Sequence, residues 1–172
     1  DGGDEVFGGT GRGNVHAFDD SGRELWKTPA YARHILSMAS GDLSGNGAKD
    51  LLIGTSYYTL NAYNAQGQVL FGHTGEARFQ HVIISDLDGD LQPEAVVANG
   101  TRLVILEVQR DKLKPNAYVK GMNLPRATAS RLEFDTGDQI NVLQVDDVNG
   151  DMKPEIFAGT ESGYVYCFDG DG

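Results

Sequence analysis

Apolar and polar residues alternate along this chain in short runs, and helical periodicity is absent almost everywhere. Period-two alternation bounded by Gly, Asn, Asp and Pro reads as strands and turns. Strands are predicted at Val6–Gly8, Val15–Phe18 and Glu24–Trp26, then at Ile35–Ala39, Leu51–Ile53, Leu60–Tyr63 and Val69–Phe71. The series continues with Val82–Ile84, Ala95–Val97, Leu103–Val108, a strand near Tyr118–Val119, Val142–Val145, Ile156–Ala158 and Tyr164–Phe168. Asp19-Asp20-Ser21-Gly22 and Asn64-Ala65-Gln66-Gly67 are turn sequences between such runs.

The strands fall into repeats. Glu5-Val-Phe-Gly-Gly-Thr, Asp50-Leu-Leu-Ile-Gly-Thr, Glu94-Ala-Val-Val-Ala-Asn and Glu155-Ile-Phe-Ala-Gly-Thr are four versions of one strand, spaced by 45, 44 and 61 residues. Four strands per period of this length is the signature of propeller blades. The approximate repeats are 1–33, 34–77, 78–138 and 139–172, forming one β-propeller segment of strand groups numbering three, four, four and three. The excess length of the third repeat is placed in an insertion over 109–138. The first residue falls inside a motif, so the sequence reads as a processed or partial chain. The predicted architecture is all-β, an arc of a larger ring completed by further blades or by another chain, since incomplete blades leave strand edges exposed.

Each version of that strand is preceded by an acidic loop. Asp86-Leu87-Asp88-Gly89-Asp90-Leu91-Gln92-Pro93-Glu94 places carboxylates at positions 1, 3, 5 and 9. Such a cluster repels itself unless a cation sits within it, and Ca²⁺ takes ~6–8 oxygens in a flexible loop. Asp86, Asp88, Asp90 and Glu94 are the side-chain ligands on this reading. Pro93 holds Gln92 extended, with its carbonyl free to face the ion. Asp147–Glu155 and Asp42–Asp50 repeat the pattern, and Asp1–Glu5 matches positions 5 to 9 of a fourth copy. A helix–loop–helix calcium site is excluded: it needs Glu at position 12, where these loops have Ile53, Val97 and Ala158.

Asp-x-(Asp/Asn)-Gly-Asp, then Pro-Glu and a Phe/Ile-x-Gly-Thr strand, resembles the FG-GAP/VCBS repeat of integrin-α-type calcium-binding propellers. The resemblance covers nearly the whole chain. It implies Ca²⁺ ligands at Asp86, Asp88, Asp90, the Gln92 carbonyl and Glu94, and at Asp147, Asn149, Asp151, the Lys153 carbonyl and Glu155. In the next copy they fall on Asp42, Ser44, Asn46, the Ala48 carbonyl and Asp50, with Ser and Asn replacing acids and Lys49 replacing the proline. Extended to the opening copy, it gives Asp1, Gly3 and Glu5. Repeats of this kind occur in surface proteins and polysaccharide-active enzymes, so the resemblance implies an extracellular module binding a protein or carbohydrate. The alternatives are the propeller portion of a secreted polysaccharide lyase and a structural subunit of a cell-surface assembly.

Charge agrees with a metal-rich module. The 172 residues carry a net charge of −11, which disfavours nucleic acid and anionic membranes as partners. No run reaches the ~18 apolar residues of a membrane-spanning helix. Loops of this type need abundant Ca²⁺, favouring an extracellular, cell-surface or periplasmic setting. The one cysteine, Cys167, is expected to pack as a small hydrophobe.

Catalytic constellations are thin, which leans against an enzyme. His16, His34, His73 and His81 have no ligand spacing, although His34 and His81 each read as lying just before the inner strand of a blade. Asp135 and Asp138 read as an acid pair or, more simply, as a turn around Gly137. The stretch between Val108 and Asp138 holds Arg110, Lys112, Lys114, Lys120, Arg126 and Arg131. It reads as a positive patch for an acidic glycan or partner protein, or as a solvated loop. Asn99-Gly100-Thr101 reads as a glycosylation sequon or a hairpin turn.

Overall fold

The alternating pattern folds into antiparallel sheets laid side by side. A computed structural model describes residues 5–28, 34–115 and 124–170. The first sheet contains β1 (Val6–Gly9), β2 (Val15–Phe18) and β3 (Glu24–Lys27). The second contains β4 (Ile35–Gly41), β5 (Asp50–Thr55), β6 (Thr59–Tyr63) and β7 (Val69–Thr74). The third contains β8 (Phe79–Ser85), β9 (Glu94–Asn99), β10 (Arg102–Val108) and β11 (Thr128–Asp135), with one 3₁₀ turn at Arg110–Lys112. The fourth contains β12 (Ile140–Asp146), β13 (Glu155–Thr160) and β14 (Val165–Phe168). Within each sheet the strands pair in chain order, as a meander. β4, β8 and β12 each carry a register shift at the same place, between Ile35 and Ser37, Phe79 and His81, and Ile140 and Val142.

The strand predicted near Tyr118–Val119 lies outside the described residues, and the fourth strand of the third sheet is Thr128–Asp135. Its side chains are half-buried or exposed on both faces, unlike the fully buried runs of β5 and β9.

Packing between sheets follows strand parity. Leu51 and Ile53 of β5 face backward, into a cluster with Val15, Phe7 and Trp26 of the first sheet. Leu52, the residue between them, faces forward into a cluster with Ala95 and Val97 of β9. Val96 and Ala98 in turn meet Ile156 and Ala158 of β13. Each sheet therefore offers one set of alternate residues to its predecessor and the other to its successor, and burial of these faces is the main source of cohesion. On the fourth sheet the forward face is open: Val142, Val148, Val165 and Cys167 are exposed. In the same register, Leu60, Ala62, Leu103 and Ile105 are fully buried. Cys167 is thus a surface thiol, because no following sheet covers its position among the described residues.

Candidate metal centre

All three described acidic loops fold alike, because the first carboxylate caps the backbone of its own loop. Asp86 Oδ1 accepts from Gly89 N–H and Oδ2 from Leu91 N–H, both at 2.9 Å. Asp147 accepts from Gly150 at 2.7 Å and Met152 at 2.9 Å. Asp42 accepts from Asn46 at 3.0 Å and Gly47 at 2.8 Å. The closing acid reaches back in the same way: Glu94 accepts from Leu87 N–H, Glu155 from Val148 N–H, and Asp50 from Ser44 N–H. Positive φ at positions 4 and 6 makes the tight fold: Gly45 and Gly47, Gly89 and Leu91, Gly150 and Met152. Leu91 (φ 65°) and Met152 (φ 70°) are non-glycine residues held in the left-handed region, with their side chains exposed.

In the Asp86 loop, oxygens of Asp86, Asp88 and Glu94 lie within 4.8 Å of one another. Glu94 is 4% exposed. Burial, then the neighbouring Asp88, pushes its carboxyl above the usual range, although Leu87 N–H and Arg131 oppose this. A cavity of about 240 Å³ beside the loop is bordered by Asp88, Asp90, Gln92 and Glu94. These oxygens suit a hard cation. The Asp42 loop suits one too: Asp50 Oδ1 and the Ser44 hydroxyl are buried beside each other without a well-formed hydrogen bond. Burial raises the Asp50 carboxyl, the Ser44 hydroxyl and N–H oppose this, and Asp42 adds to the rise. In the Asp147 loop, Asn149 Oδ1 accepts from Asp151 N–H at 2.8 Å, while its amide nitrogen donates to Glu155. Of the opening copy, Glu5 is exposed, and Asp1 and Gly3 lie outside the described residues.

Two arginines tie the acidic loops to distant parts of the chain, a role the sequence alone did not reveal. Arg131, from β11, sets Nη1 2.8 Å from Asp88 Oδ2 and 3.9 Å from Glu94 Oε1, and its Nη2 donates to the Gly170 carbonyl. Arg110 donates from Nε to the Leu43 carbonyl at 3.1 Å and from Nη1 to Gln92 Oε1, joining the Asp42 and Asp86 loops. Two members of the predicted positive patch therefore turn toward the acidic loops.

The remaining candidates resolve to structure. Asp135 Oδ1 caps Gly137 N–H and Asp138 accepts from Ser162 N–H; the Thr101 hydroxyl lowers the first carboxyl and the Ser162 hydroxyl the second, with these N–H bonds adding to the effect. Asn99 is buried, accepting from Glu76 and Ala77 and donating to Ala77, so Asn99-Gly100 is a hairpin turn and no glycan acceptor. His16 pairs with Glu24 at 2.7 Å. His34 is exposed just ahead of β4 as expected, whereas His81 lies within β8, which begins at Phe79, ahead of the apolar run Val82–Ile84.

No protein-family model and no curated protein matches this chain. Solved structures do. BBS1N in complex with ARL6DN matches with a TM-score of 0.69 at 12% identity, over 97% of this chain and 47% of that one. The β-propeller domain of Cps50 (Swd1) from Myceliophteria thermophila gives 0.64 at 14%, over 96% and 48%. BamB from Moraxella catarrhalis gives 0.63 at 14%, over 97% and 43%. The chain spans just under half the length of these three. It is an arc of a β-propeller, with two four-stranded antiparallel blades between two sheets of three strands among the described residues.

Proposed function

We propose that this chain is a calcium-stabilised propeller module that binds a protein or carbohydrate partner outside the cytoplasm. The observation that carries the calcium reading is the buried Asp50 Oδ1 beside the Ser44 hydroxyl, the two facing each other without a well-formed hydrogen bond. An ionised oxygen buried with so little hydrogen bonding is costly, and a divalent cation is the partner whose chemistry fits both atoms. Asp86, Asp88 and Glu94 offer the same chemistry in the next blade. Ca²⁺ would neutralise these acids and hold each loop against the strand that follows it. A protein partner agrees with the fold, since one similar propeller, BBS1N, is found in complex with ARL6DN.

Calorimetric titration with Ca²⁺ tests the metal reading, together with melting in excess chelator. We expect binding at the Asp42, Asp86 and Asp147 loops, a lower Tm in chelator, and recovery in millimolar Ca²⁺ but much less in Mg²⁺. One site at tenfold its dissociation constant adds about 1.4 kcal/mol. An unchanged melting curve with no binding heat overturns the assignment.

A further inference from the structure

The second blade carries a polar cavity at the end opposite its acidic loop. It encloses about 600 Å³ and is lined by Asn61, His73, Thr74, Leu124 and Arg126, among others. That volume is in the range of small-molecule sites.

Asn61 is the anomaly that identifies it. By register it sits opposite Ile53, where the third blade places Val104 opposite Val97. Val104 belongs to the apolar core, so an amide at this position breaks the pattern of the repeat. Asn61 is only 4% exposed, yet its side chain makes no hydrogen bond to any described residue. Across the strand pair lies Gly72, whose lack of a side chain keeps space open. A Cβ there would stand 3.3 Å from Asn61 Oδ1 and 2.6 Å from Leu124 Cδ1. The amide and the Leu124 wall therefore meet over Gly72.

The other groups have complementary chemistry. His73 Nδ1 is engaged by the Thr128 hydroxyl at 3.0 Å, which leaves Nε2 for another contact. Burial holds this imidazole below its ordinary pKa, so it is a neutral hydrogen-bonding group. Arg126 is exposed and forms no salt bridge with a described carboxylate. The Asn61 amide and the His73 imidazole suit hydroxyl groups, and a guanidinium suits a carboxylate.

We propose that this cavity binds a carboxylate-bearing sugar unit, with Arg126 taking the carboxylate and the Asn61 amide a pair of sugar hydroxyls. This names a ligand class for the binding module and rests on that reading. It is physically separate from the acidic loops.

The test is titration of the chain with D-glucuronate, D-glucose and acetate by ligand-observed NMR. Glucuronate is expected to bind at least tenfold more tightly than either control. Arg126→Gln should weaken it tenfold or more. Asn61→Val, which installs the residue of the third blade, should abolish it while leaving the melting temperature unchanged or raised. Equal affinity for glucuronate and acetate overturns the sugar assignment, and equal affinity for glucuronate and glucose overturns the role of Arg126. Undiminished binding by Asn61→Val, or no binding of glucuronate, overturns the site. Ca²⁺ titration of the same sample separates the two readings: normal calcium binding without glucuronate binding removes this site and leaves the module intact.

Discussion

Arg131 Nη1 stands 2.8 Å from Asp88 Oδ2, placing a guanidinium against the most acidic loop of the chain. The arginine side chain is only 16% exposed, so water screens the pair weakly. Counting acids alone, the Asp86 loop has four carboxylates and the Asp147 loop three. Arg131 offsets one of those four charges. Arg131 also holds the Gly170 carbonyl, so the same guanidinium joins the third blade to the end of the fourth.

Replacing Arg131 by Gln should move two quantities in opposite directions. Without Ca²⁺, the chain loses a charge-assisted pair and about 1–2 kcal/mol of stability. With Ca²⁺, affinity at the Asp86 loop rises severalfold, because the ion no longer competes with a fixed cation. Urea unfolding in chelator and calorimetric titration read the two effects; a fall in both would show that Arg131 shapes the loop instead of competing with the ion.

Asp50→Asn separates the metal role of that residue from its structural one. Asn retains an oxygen for the Ser44 N–H and removes a buried charge. In chelator the variant should melt at or above the parent temperature. In Ca²⁺ it should bind one ion fewer and gain less stability. Loss of stability in both conditions would contradict the calcium reading of this loop.

His73 makes stability depend on pH in a defined direction. Its folded-state pKa lies below the ordinary 6.5, first through burial and also through Arg126, with Glu133 opposing. The unfolded chain therefore takes up its proton first. The contribution of His73 is fully present above about pH 6.5 and is lost as pH falls through the depressed folded value. Comparison with His73→Gln between pH 7.5 and 5 isolates this from the carboxylates. The parent should lose more stability than the variant on acidification, and parallel curves would refute it.

Gly54→Ala tests the seam between the second and third blades. A Cβ at Gly54 would lie 2.5 Å from the Phe79 carbonyl oxygen and 2.6 Å from Ser37 Oγ. The backbone of β8 cannot yield as a flexible side chain would, so the substitution should cost about 1–3 kcal/mol. It should lower the urea midpoint with little change in the m-value.

Strand positions and loops were legible because both are local. Short uninterrupted apolar runs mark β5, β9 and β13 directly, as strands buried on both faces should read, and the nine-residue acid pattern needs no distant partner. The outer strand β11 was missed because it has no well-buried face: only Leu132 and Phe134 alternate with its charged residues, too short an apolar signal to stand out. The arginine links were invisible for a different reason. Arg110 meets Leu43 across 67 residues and Arg131 meets Asp88 across 43, pairings that only folding creates. Asn61 was readable in principle. Aligning the second and third repeats by their strand pairs sets it against Val104, an amide against a core residue.

The division of each strand into backward-facing and forward-facing residues limits how this chain can change length. Deleting one residue within β9 would exchange Ala95 and Val97 with Val96 and Ala98, and both neighbouring seams would receive the wrong side chains. A single-residue insertion or deletion in a strand is therefore an error in two interfaces at once. Length can drift only where no parity is kept, in the connections. There the third repeat carries its extra residues, between Val108 and Thr128. The strands behave as fixed-length words, and new material enters this architecture only in the spaces between them.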